Sequence, residues 1–380
     1  MKTHFSILLI LFACFNSIAQ IKNINAKYDL PNLVEETSGL LFFNGKLITH
    51  NDSGGLANLY ELDTITGNIV RTISISNATN VDWEDITQDE TYLYIGDFGN
   101  NNGSRTDLKI YRILKSEYTN NTSITSEIIS FSYEDQTDFT SQPNNTNFDA
   151  EAIAFYNNKL VIFTKNWKDN TVNAYTIPKT IGTHSAKKVS SYNTNGLITG
   201  ATYNSSDDSF LLCGYTNTAL PFLVYIKVNS IINDAIFSGQ IEQTDISPNL
   251  GQASQIEGIA LIEKGKYFLS REKVNTVFNG NPVVLNQKLY RFDNGSFTAL
   301  NLDEFSLLSL KIYPNPSNDY LFIKGVDIIN LKIINASGKT IVEQKKSSNQ
   351  IPIKEFAPGL YVLKITTNGN KIITKKFIKY

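Results

Sequence analysis

The strongest constraint on this chain is a unit of short apolar strands that recurs through its central part. Five apolar runs that end in polar or small residues carry the repeat: Lys46–Asp52, Tyr92–Phe98, Lys159–Lys165, Ser209–Tyr215 and Lys266–Glu272. An apolar segment precedes each run, and a strand that contains a tyrosine follows it, at Tyr60, Tyr111, Tyr175, Tyr225 and Tyr290. Helical periodicity is almost absent. Short strands repeated in this way, with Gly, Asn and Asp at the turns, predict an all-β fold, the β-propeller.

The repeat predicts five blades. A single four-stranded blade cannot cover both of its faces, so neighbouring blades have to pack on it. The segment Asn23–Leu30 stands where a fourth strand precedes the next blade elsewhere, and we expect it to complete the last blade and close the ring. Two alternatives stay open from the residues alone. One is a sixth blade, since residues 134–148 are unassigned, and the other is an array of unrelated sheets.

Strand order also predicts where a site lies. In an antiparallel blade, the first strand begins at the edge where the second strand ends. Because the first strands line the central channel, these residues surround one mouth of it. One position of this ring is occupied by Ser38, Glu84, Glu151, Thr199 and Glu257. Like charges crowded at one mouth are costly unless something binds there, so we predict a ligand or cation site at an acidic mouth.

Three kinds of chemistry fit the ring. Carboxylates suit a hard cation such as calcium, and the candidate ligands are Asp82, Glu84, Asp97, Asp149 and Glu151. Acid–base hydrolysis of a phosphoester or glycan is the second, with Glu84, Glu151, Glu257 and Arg271 as candidate catalytic residues. Direct ligand binding is the third, with candidates His50, Asp52, Lys165, Trp167 and Arg271. For any single residue, the ordinary role of an acid in capping a turn competes with these, and a surface position is the default for His50.

Charge and composition exclude several classes of function. Residues 311–380 hold twelve lysines against four acidic residues, while the whole chain carries a net charge of −2, so the remainder is acidic and unsuited to nucleic acid. After removal of a signal peptide, Cys213 would be the one cysteine, which excludes an intramolecular disulfide. With His50 and His184 it cannot form a typical zinc site. No later segment is apolar and long enough to cross a membrane.

The first residues have the pattern of a secretory signal peptide. A polar start with Lys2 and His4 is followed by the apolar run Phe5–Phe15 and by small residues up to Ala19, where cleavage is predicted. The apolar run is too short to span a bilayer. A lipoprotein signal is the alternative, since Leu11–Cys14 loosely matches a lipobox, and a buried strand is another. We therefore predict a signal peptide at residues 1–19 and export through the periplasm.

A basic all-β domain is predicted at the other end of the chain. The prolines of Leu310–Ser317 interrupt the strand pattern, and alternating strands follow up to Lys379. The Tyr-Pro-Asn-Pro-Ser entry, the Ala-Ser-Gly turn, the Pro-Gly-Leu-Tyr-Val-Leu-Lys-Ile strand and the lysine-rich last strand resemble the type A C-terminal sorting domain of the type IX secretion system of the Bacteroidetes. The resemblance implies contact with that machinery and a secreted or surface location. An accessory carbohydrate-binding or immunoglobulin-like domain is the alternative.

The central part resembles secreted bacterial propellers, including phytase-like and esterase-like ones, through Asp82–Ile86, Ile95–Asn101 and Glu257–Ala260. This resemblance is too general to transfer a catalytic residue. The predicted organisation is a signal peptide at 1–19, a β-propeller at 20–305 and a small β-sandwich, the sorting domain, at 306–380. The predicted function is binding of an extracellular ligand or cation at the acidic mouth, and a secreted hydrolase acting at the same face is the alternative.

Overall fold

The computed structural model describes residues 22–228, 235–263, 265–278, 280–293, 311–324, 328–345, 350–367 and 372–380. The predicted signal peptide lies outside these residues. The chain divides into two compact units, Met1–Ser296 and Phe297–Tyr380, and each consists mainly of β-strands. No helix in the described part of the chain is both long and apolar enough to span a membrane.

Five blades form the first unit. Strand β1 (Lys22–Asp29) comes first, and blade 1 contains β2 (Thr37–Phe43), β3 (Lys46–Asn51), β4 (Asn58–Asp63) and β5 (Ile69–Ile75). Blade 2 contains β6 (Trp83–Gln88), β7 (Tyr92–Asp97), β8 (Lys109–Leu114) and β10 (Glu127–Tyr133). Between β8 and β10 lie the helix α1 (Lys115–Asn120) and the short strand β9 (Ser123–Ile124), which pairs in parallel with β5.

The remaining blades follow the same order. Blade 3 contains β11 (Ala150–Tyr156), β12 (Lys159–Thr164), β13 (Thr171–Pro178) and β14 (Gly182–Asn193). Blade 4 contains β15 (Leu197–Asn204), β16 (Ser209–Tyr215), β17 (Pro221–Lys227) and β18 (Ile241–Asp245). Blade 5 contains β19 (Ile256–Glu263), β20 (Lys266–Arg271) and β23 (Lys288–Asp293), with a hairpin of β21 (Val274–Phe278) and β22 (Asn281–Leu285) before β23. The helix α2 (Ser247–Leu250) and 3-10 turns at Asn32–Val34 and Ile236–Ser238 complete the unit.

The ring closes through the first strand of the chain. β1 pairs antiparallel with β23 and supplies the outer strand of blade 5, as predicted from the sequence. The first strands of the five blades contact one another in a closed cycle, β2, β6, β11, β15 and β19, so they line one central axis. Residues 134–148 form no strand, which decides against a sixth blade.

Apolar side chains between adjacent blades form the core. The recurring tyrosines, Tyr60, Tyr111, Tyr175, Tyr225 and Tyr290, are each at most 4% exposed. Tyr111 packs with Leu59 of blade 1, and Tyr175 packs with Ile110 of blade 2, so these rings join neighbouring blades as predicted. At the outer edge, β10 and β14 pair in parallel and link blades 2 and 3 into one sheet. Pairing removes the exposed strand edges on which other chains can assemble.

The second unit is a sandwich of two small sheets. Its strands are β24 (Lys311–Tyr313), β25 (Tyr320–Lys324), β26 (Ile328–Asn335), β27 (Thr340–Lys345), β28 (Gln350–Pro352), β29 (Gly359–Thr367) and β30 (Ile372–Lys379). One sheet has the order β24-β25-β28 and the other β27-β26-β29-β30. Leu321, Leu331, Leu363 and Phe377 are fully buried in one hydrophobic core, which agrees with the alternating pattern of these strands.

Deleting β1 is expected to destabilise the propeller strongly. The deletion leaves β23 paired only with β20 and removes the strand that closes the ring, at a cost of about 3 kcal/mol or more in the free energy of unfolding. Urea denaturation of the full chain and the deletion variant measures the difference. A matched control replaces the hairpin β21–β22, which belongs to no blade, by a short glycine linker, and its loss should be much smaller. Equal stability of the full chain and the β1 deletion would show that the closure contributes nothing.

Candidate functional site

Each inner strand carries one extra residue at the same position. Near the start of the first strand of every blade, the register with the second strand shifts by one residue. These shifts lie between Thr37 and Leu40, Trp83 and Ile86, Ala150 and Ala152, Ile198 and Gly200, and Ile256 and Gly258. These shifts are β-bulges, which kink a strand and redirect its side chains. The residues in the bulges include Ser38, Glu84, Glu151, Thr199 and Glu257, the ring that strand order predicted.

The two neutral members of the ring bind the neighbouring inner strand. Ser38 Oγ donates a hydrogen bond of 2.5 Å to the carbonyl oxygen of Glu84. Thr199 Oγ1 donates a hydrogen bond of the same length, 2.5 Å, to the carbonyl oxygen of Ile256. The three acidic members are Glu84, Glu151 and Glu257, and all are at most 8% exposed. The bulge position is therefore used for cross-linking in two blades and for burying a carboxyl group in three.

The next residue along each inner strand faces the axis, and in blade 2 it is Asp85. Its counterparts are small: Gly39, Ala152, Gly200 and Gly258. Asp85 is fully buried, and its carboxylate accepts hydrogen bonds from the backbone N–H groups of Ile86 at 2.8 Å, Ile153 at 2.9 Å and Ala201 at 3.3 Å. It thus ties three inner strands together below the mouth, and burial raises its pKa well above the usual range. Asp85 was not among the predicted site residues, although its sequence signal is an acid where the other repeats have glycine or alanine.

An acidic triad lies on the side of the mouth formed by blades 1 and 2. Asp52, Asp82 and Glu84 each contribute a carboxylate oxygen, and these oxygens lie within 4.8 Å of one another. Glu84 is 4% exposed, and its carboxylate accepts no hydrogen bond from any described residue. Asp52 Oδ1 is likewise buried without a hydrogen-bond partner. A Cβ atom added at Gly99 would overlap the carboxylates of Asp82 and Glu84, so the backbone at this position passes directly against them.

Burial is the main reason why these carboxyl groups hold their protons more tightly than usual. Burial, and then the charge of Asp82, raise the pKa of Asp52 to about 7. Burial, and then the charge of Asp149, raise the pKa of Asp82 to about 6. The pKa of Glu84 lies well above its ordinary value for the same reason, and the charge of Asp52 is the next largest cause. The triad is therefore a place where negative charge is expensive in the absence of a cation.

The opposite side of the mouth combines acids with one lysine. Lys165 is 6% exposed, and its ammonium group lies 3.1 Å from Glu151 Oε1. The same ammonium lies 4.9 Å from the ring centre of Trp167 and 5.6 Å from that of Tyr215, distances typical of cation–π contacts. Asp149 accepts hydrogen bonds from the backbone N–H of Asn100 at 2.5 Å and from Trp167 Nε1 at 2.7 Å. These acids are thus stabilised by protein partners, unlike the triad.

Blade 5 completes the mouth with a pair of carboxyl groups. Burial and the charge of Glu272 raise the pKa of Glu257 well above the usual range. Burial, and then the charge of Asp52, raise the pKa of Glu272 to about 7. The ring thus couples blade 5 electrostatically to the triad.

The structure places two predicted site residues, His50 and Arg271, away from the mouth. His50 is fully buried against Trp83, so the expectation of a surface histidine was wrong, and burial lowers its pKa to about 4. Arg271 points into blade 5, where it donates to Tyr290 Oη at 2.8 Å and to the carbonyl oxygen of Asn286 at 2.7 Å. Its neighbour Glu272, the residue that follows β20, contributes to the acidic mouth instead, where burial and the charge of Asp52 raise its pKa.

A third correction concerns Asp97, a predicted cation ligand. Its carboxylate is fully buried, but it forms ion pairs with Arg105 at 3.0 Å and with Lys109 at 3.5 Å. It also accepts a hydrogen bond from the backbone N–H of Asp82 at 3.2 Å. Two cations therefore already neutralise Asp97, and its role is to hold the loop that carries Gly99 beside the triad.

We predict that the chelated protein loses stability as the pH rises from 6.5 to 8.5. Acids with a raised pKa in the folded state stabilise the fold below their unfolded pKa near 4, and this contribution is lost as the pH rises through the folded values of about 7 for Asp52 and Glu272. The expected loss is roughly 1–2 kcal/mol in the free energy of unfolding. Urea denaturation with EDTA present measures it. His50 titrates only below this window, since its pKa falls from 6.5 to about 4 on folding.

The comparison that decides the pH prediction is the double variant Asp52→Asn with Glu272→Gln. It removes the two groups that titrate near pH 7, so its stability should change less over the same window. A profile of the unaltered protein that is flat or rises with pH would show that these carboxyl groups are ionised throughout.

Comparison with known proteins identifies the second unit. Residues 311–380 match the family model of the secretion system C-terminal sorting domain. An ulvan lyase from Nonlabens ulvanivorans is 31% identical over 86 residues, which are 21% of this chain and 16% of that enzyme. The chain therefore spans only a small part of that relative's length.

Among solved structures, the chain is similar to PorZ, a surface component of the type IX secretion system of Porphyromonas gingivalis. The identity is 13%, the TM-score is 0.37, and the match covers 90% of this chain and 45% of PorZ. An exo-β-1,3-galactanase from Phanerochaete chrysosporium matches with 9% identity and a TM-score of 0.43, over 94% of this chain and all of that one. Both TM-scores are too low to carry a functional argument. The sorting domain at residues 311–380 shows that the protein is cargo of the type IX secretion machinery, destined for the cell surface or the extracellular space.

Proposed function

We propose that this exported propeller is a binding module whose acidic mouth holds a divalent cation, calcium. The observation that carries the proposal is Glu84, which is 4% exposed and accepts no hydrogen bond from the described residues. A buried carboxylate is normally paired with a cation or hydrogen-bonded, because leaving it bare costs several kcal/mol. Here it instead lies beside the equally poorly satisfied carboxylate of Asp52 and that of Asp82.

The charge balance around the mouth leaves the triad in need of a cation. Asp97 is neutralised by Arg105 and Lys109, and Glu151 is paired with Lys165. The cations that lower the pKa of Asp82 are Arg105 and Lys165, and both already form ion pairs with other acids. A divalent ion bound by the triad would remove the mutual repulsion of its carboxylates and provide the missing partner of Glu84.

The donor set favours calcium. The triad offers only carboxylate oxygens, and calcium takes about six to eight oxygen ligands at about 2.3–2.6 Å. Oxygens within 4.8 Å of one another fit around one such ion. Zinc sites use histidine and cysteine as well, and the triad contains neither. Extracellular modules bind calcium at about 10⁻⁴–10⁻³ M, a range that suits an exported protein.

Calcium should raise the melting temperature of the protein, and Glu84→Gln should abolish this rise. The variant removes one ligand charge and also one uncompensated buried charge, so in EDTA it should be as stable as the unaltered protein or more so. Thermal unfolding with EDTA, calcium chloride or magnesium chloride measures both effects. The matched control is Glu90→Gln, an exposed acid outside the mouth, which should keep the calcium response.

Two outcomes would contradict the cation site. One is an unchanged melting temperature in calcium at concentrations above the usual extracellular range. The other is a calcium response that Glu84→Gln retains in full, since this would place the ion elsewhere. Isothermal titration with calcium distinguishes a bound ion from a general salt effect.

A secreted hydrolase is the second candidate function, and Glu151 is the residue that favours it. Glu151 is 2% exposed, burial raises its pKa well above the usual range, and Lys165 lies 3.1 Å away. A carboxyl group that stays protonated near neutral pH can act as a general acid. The half-buried Trp167 beside it offers an aromatic face at the same mouth.

If the protein is a hydrolase, Glu151→Gln should abolish turnover of a susceptible glycan or phosphoester. Removing the acid that protonates the leaving group typically costs about 10²–10⁴-fold in rate. Assays of released reducing ends and of released phosphate measure it, with circular dichroism to confirm the fold. Lys179→Ala, in a different ion pair, is the control that should retain activity. Activity that survives Glu151→Gln unchanged would exclude Glu151 as the catalytic acid.

A further inference from the structure

The longest connection between blades encloses a cavity outside the acidic mouth. Residues 134–149 join β10 to β11, whereas the other connections between blades that stay within the described chain are the shorter segments 30–36, 76–82, 194–196 and 246–255. A long segment without helix or strand is uncommon inside a compact domain and usually serves a function, often as a binding loop. Since this segment adds no strand to any blade, the fold itself does not explain its length.

Hydrogen bonds hold this connection in one conformation. Gln136 Nε2 donates to the carbonyl oxygen of Gly103 at 2.8 Å. The backbone N–H of Gln142 donates to the carbonyl oxygen of Asn102 at 2.8 Å, and that of Asn144 donates to the carbonyl oxygen of Asn101 at 2.9 Å. The connection is thus fastened along the loop that follows β7. A binding surface fixed in this way loses little conformational entropy when a ligand binds.

Between the connection and blade 3 lies a cavity of about 290 Å³. Amide and hydroxyl side chains dominate its lining, among them Gln142, Asn145, Thr146, Asn147 and Asn173. Asn147 donates from Nδ2 to Asp169 at 2.7 Å, but its Oδ1 atom is buried without a partner. A buried acceptor of this kind is unfavourable unless a ligand or water donates to it.

Two lysines and an aromatic surface complete the cavity. Lys168 and Lys188 line it, and neither amine forms an ion pair with another described residue. The two acids of the lining already accept hydrogen bonds from other residues. Asp135 accepts one from Tyr175 Oη at 3.0 Å, and Asp138 accepts one from the backbone N–H of Thr140 at 2.8 Å. The half-buried side chain of Phe148 adds an apolar face to these donors and acceptors.

We propose that this cavity is a saccharide-binding subsite, separate from the acidic mouth. A sugar ring presents many hydroxyl groups, which can donate to Asn147 Oδ1 and accept from amides and lysines, and an apolar C–H face, which packs on an aromatic ring. The cavity lies at the small end of the usual range for ligand pockets, about 300–1,000 Å³, and suits one or two sugar rings.

The subsite and the cation site use different side chains. None of Asp52, Asp82 and Glu84 lines the cavity. The two are nevertheless adjacent along the chain, since Phe148 precedes Asp149 and Lys168 follows Trp167. Saccharide binding at the cavity therefore does not depend on the proposed cation, and one can fail while the other holds.

Binding of defined hexasaccharides to the full chain tests the subsite. The probes are cellohexaose, laminarihexaose, xylohexaose and hexagalacturonate, each followed by saturation-transfer NMR and isothermal titration, with and without EDTA. We expect at least one probe to bind with EDTA present. Asn147→Ala should weaken it about tenfold, because a hydrogen bond made by a buried group contributes about 1.4 kcal/mol. If hexagalacturonate binds best, the two lysines bind a sugar carboxylate. If a neutral probe binds best, they donate hydrogen bonds to sugar hydroxyl groups.

Adjacent lysines on β14 provide a matched control. Lys188 lines the cavity, whereas Lys187 is exposed and does not. Lys188→Ala should therefore weaken binding several-fold, and Lys187→Ala should leave it unchanged. The proposal is overturned if none of the four probes binds. It is also overturned if a probe binds equally well to Asn147→Ala and Lys188→Ala but is lost in Asp82→Asn, which would place the sugar at the acidic mouth.

Discussion

The close approach of five inner strands around one axis is the constraint on which the rest of the propeller depends. At Gly200 and Gly258, an added Cβ would overlap a carbonyl oxygen of a neighbouring inner strand. The residue that faces the axis after each bulge therefore has to be small in four blades. In blade 2 it is Asp85, whose carboxylate instead accepts backbone hydrogen bonds from the inner strands of blades 3 and 4.

The same constraint explains the acidic ring. A bulge in each inner strand is needed to bring a small residue to the axis, and the residue before it is turned towards the mouth. Ser38 and Thr199 use this position to bind the next strand, which stabilises the ring of blades. Glu84, Glu151 and Glu257 occupy equivalent positions without that benefit, and burial raises the pKa of each well above the usual range. Burying a carboxyl group lowers the stability of the fold, and a serine or threonine at the same position would raise it. Because this loss of stability is repeated in three blades, it points to a function that requires these carboxyl groups.

The periodicity of the sequence was enough to predict the propeller, its closure by β1 and the position of the ring, because these follow from strand order. It was not enough to predict which way each side chain points near a strand end. Arg271 ends β20 and points into blade 5, whereas its neighbour Glu272 follows the strand and belongs to the mouth, and no local pattern distinguishes the two. His50 looked like part of an exposed polar loop, but the strand β3 continues through it and buries it against Trp83. Asp97 was correctly placed near the triad, yet its partners Arg105 and Lys109 come from the following loop and strand, which no local pattern connects to it.

One loop joins the two sites that the structure suggests. Gly99 lies directly against the carboxylates of Asp82 and Glu84, and residues 101–103 fasten the long connection that walls the second cavity. Between them, Asn100 donates from its backbone to Asp149 and from Nδ2 to the carbonyl oxygen of Phe148 at 3.0 Å. A cation that drew the triad together would therefore act on the same backbone that shapes the proposed saccharide subsite. When two ligands stabilise the same arrangement of a shared loop, each raises the affinity of the protein for the other by the same factor. The size of this factor depends on how far the loop moves on binding. The fixed hydrogen bonds of this loop argue for a small movement, and hence for two sites that are adjacent but only weakly coupled.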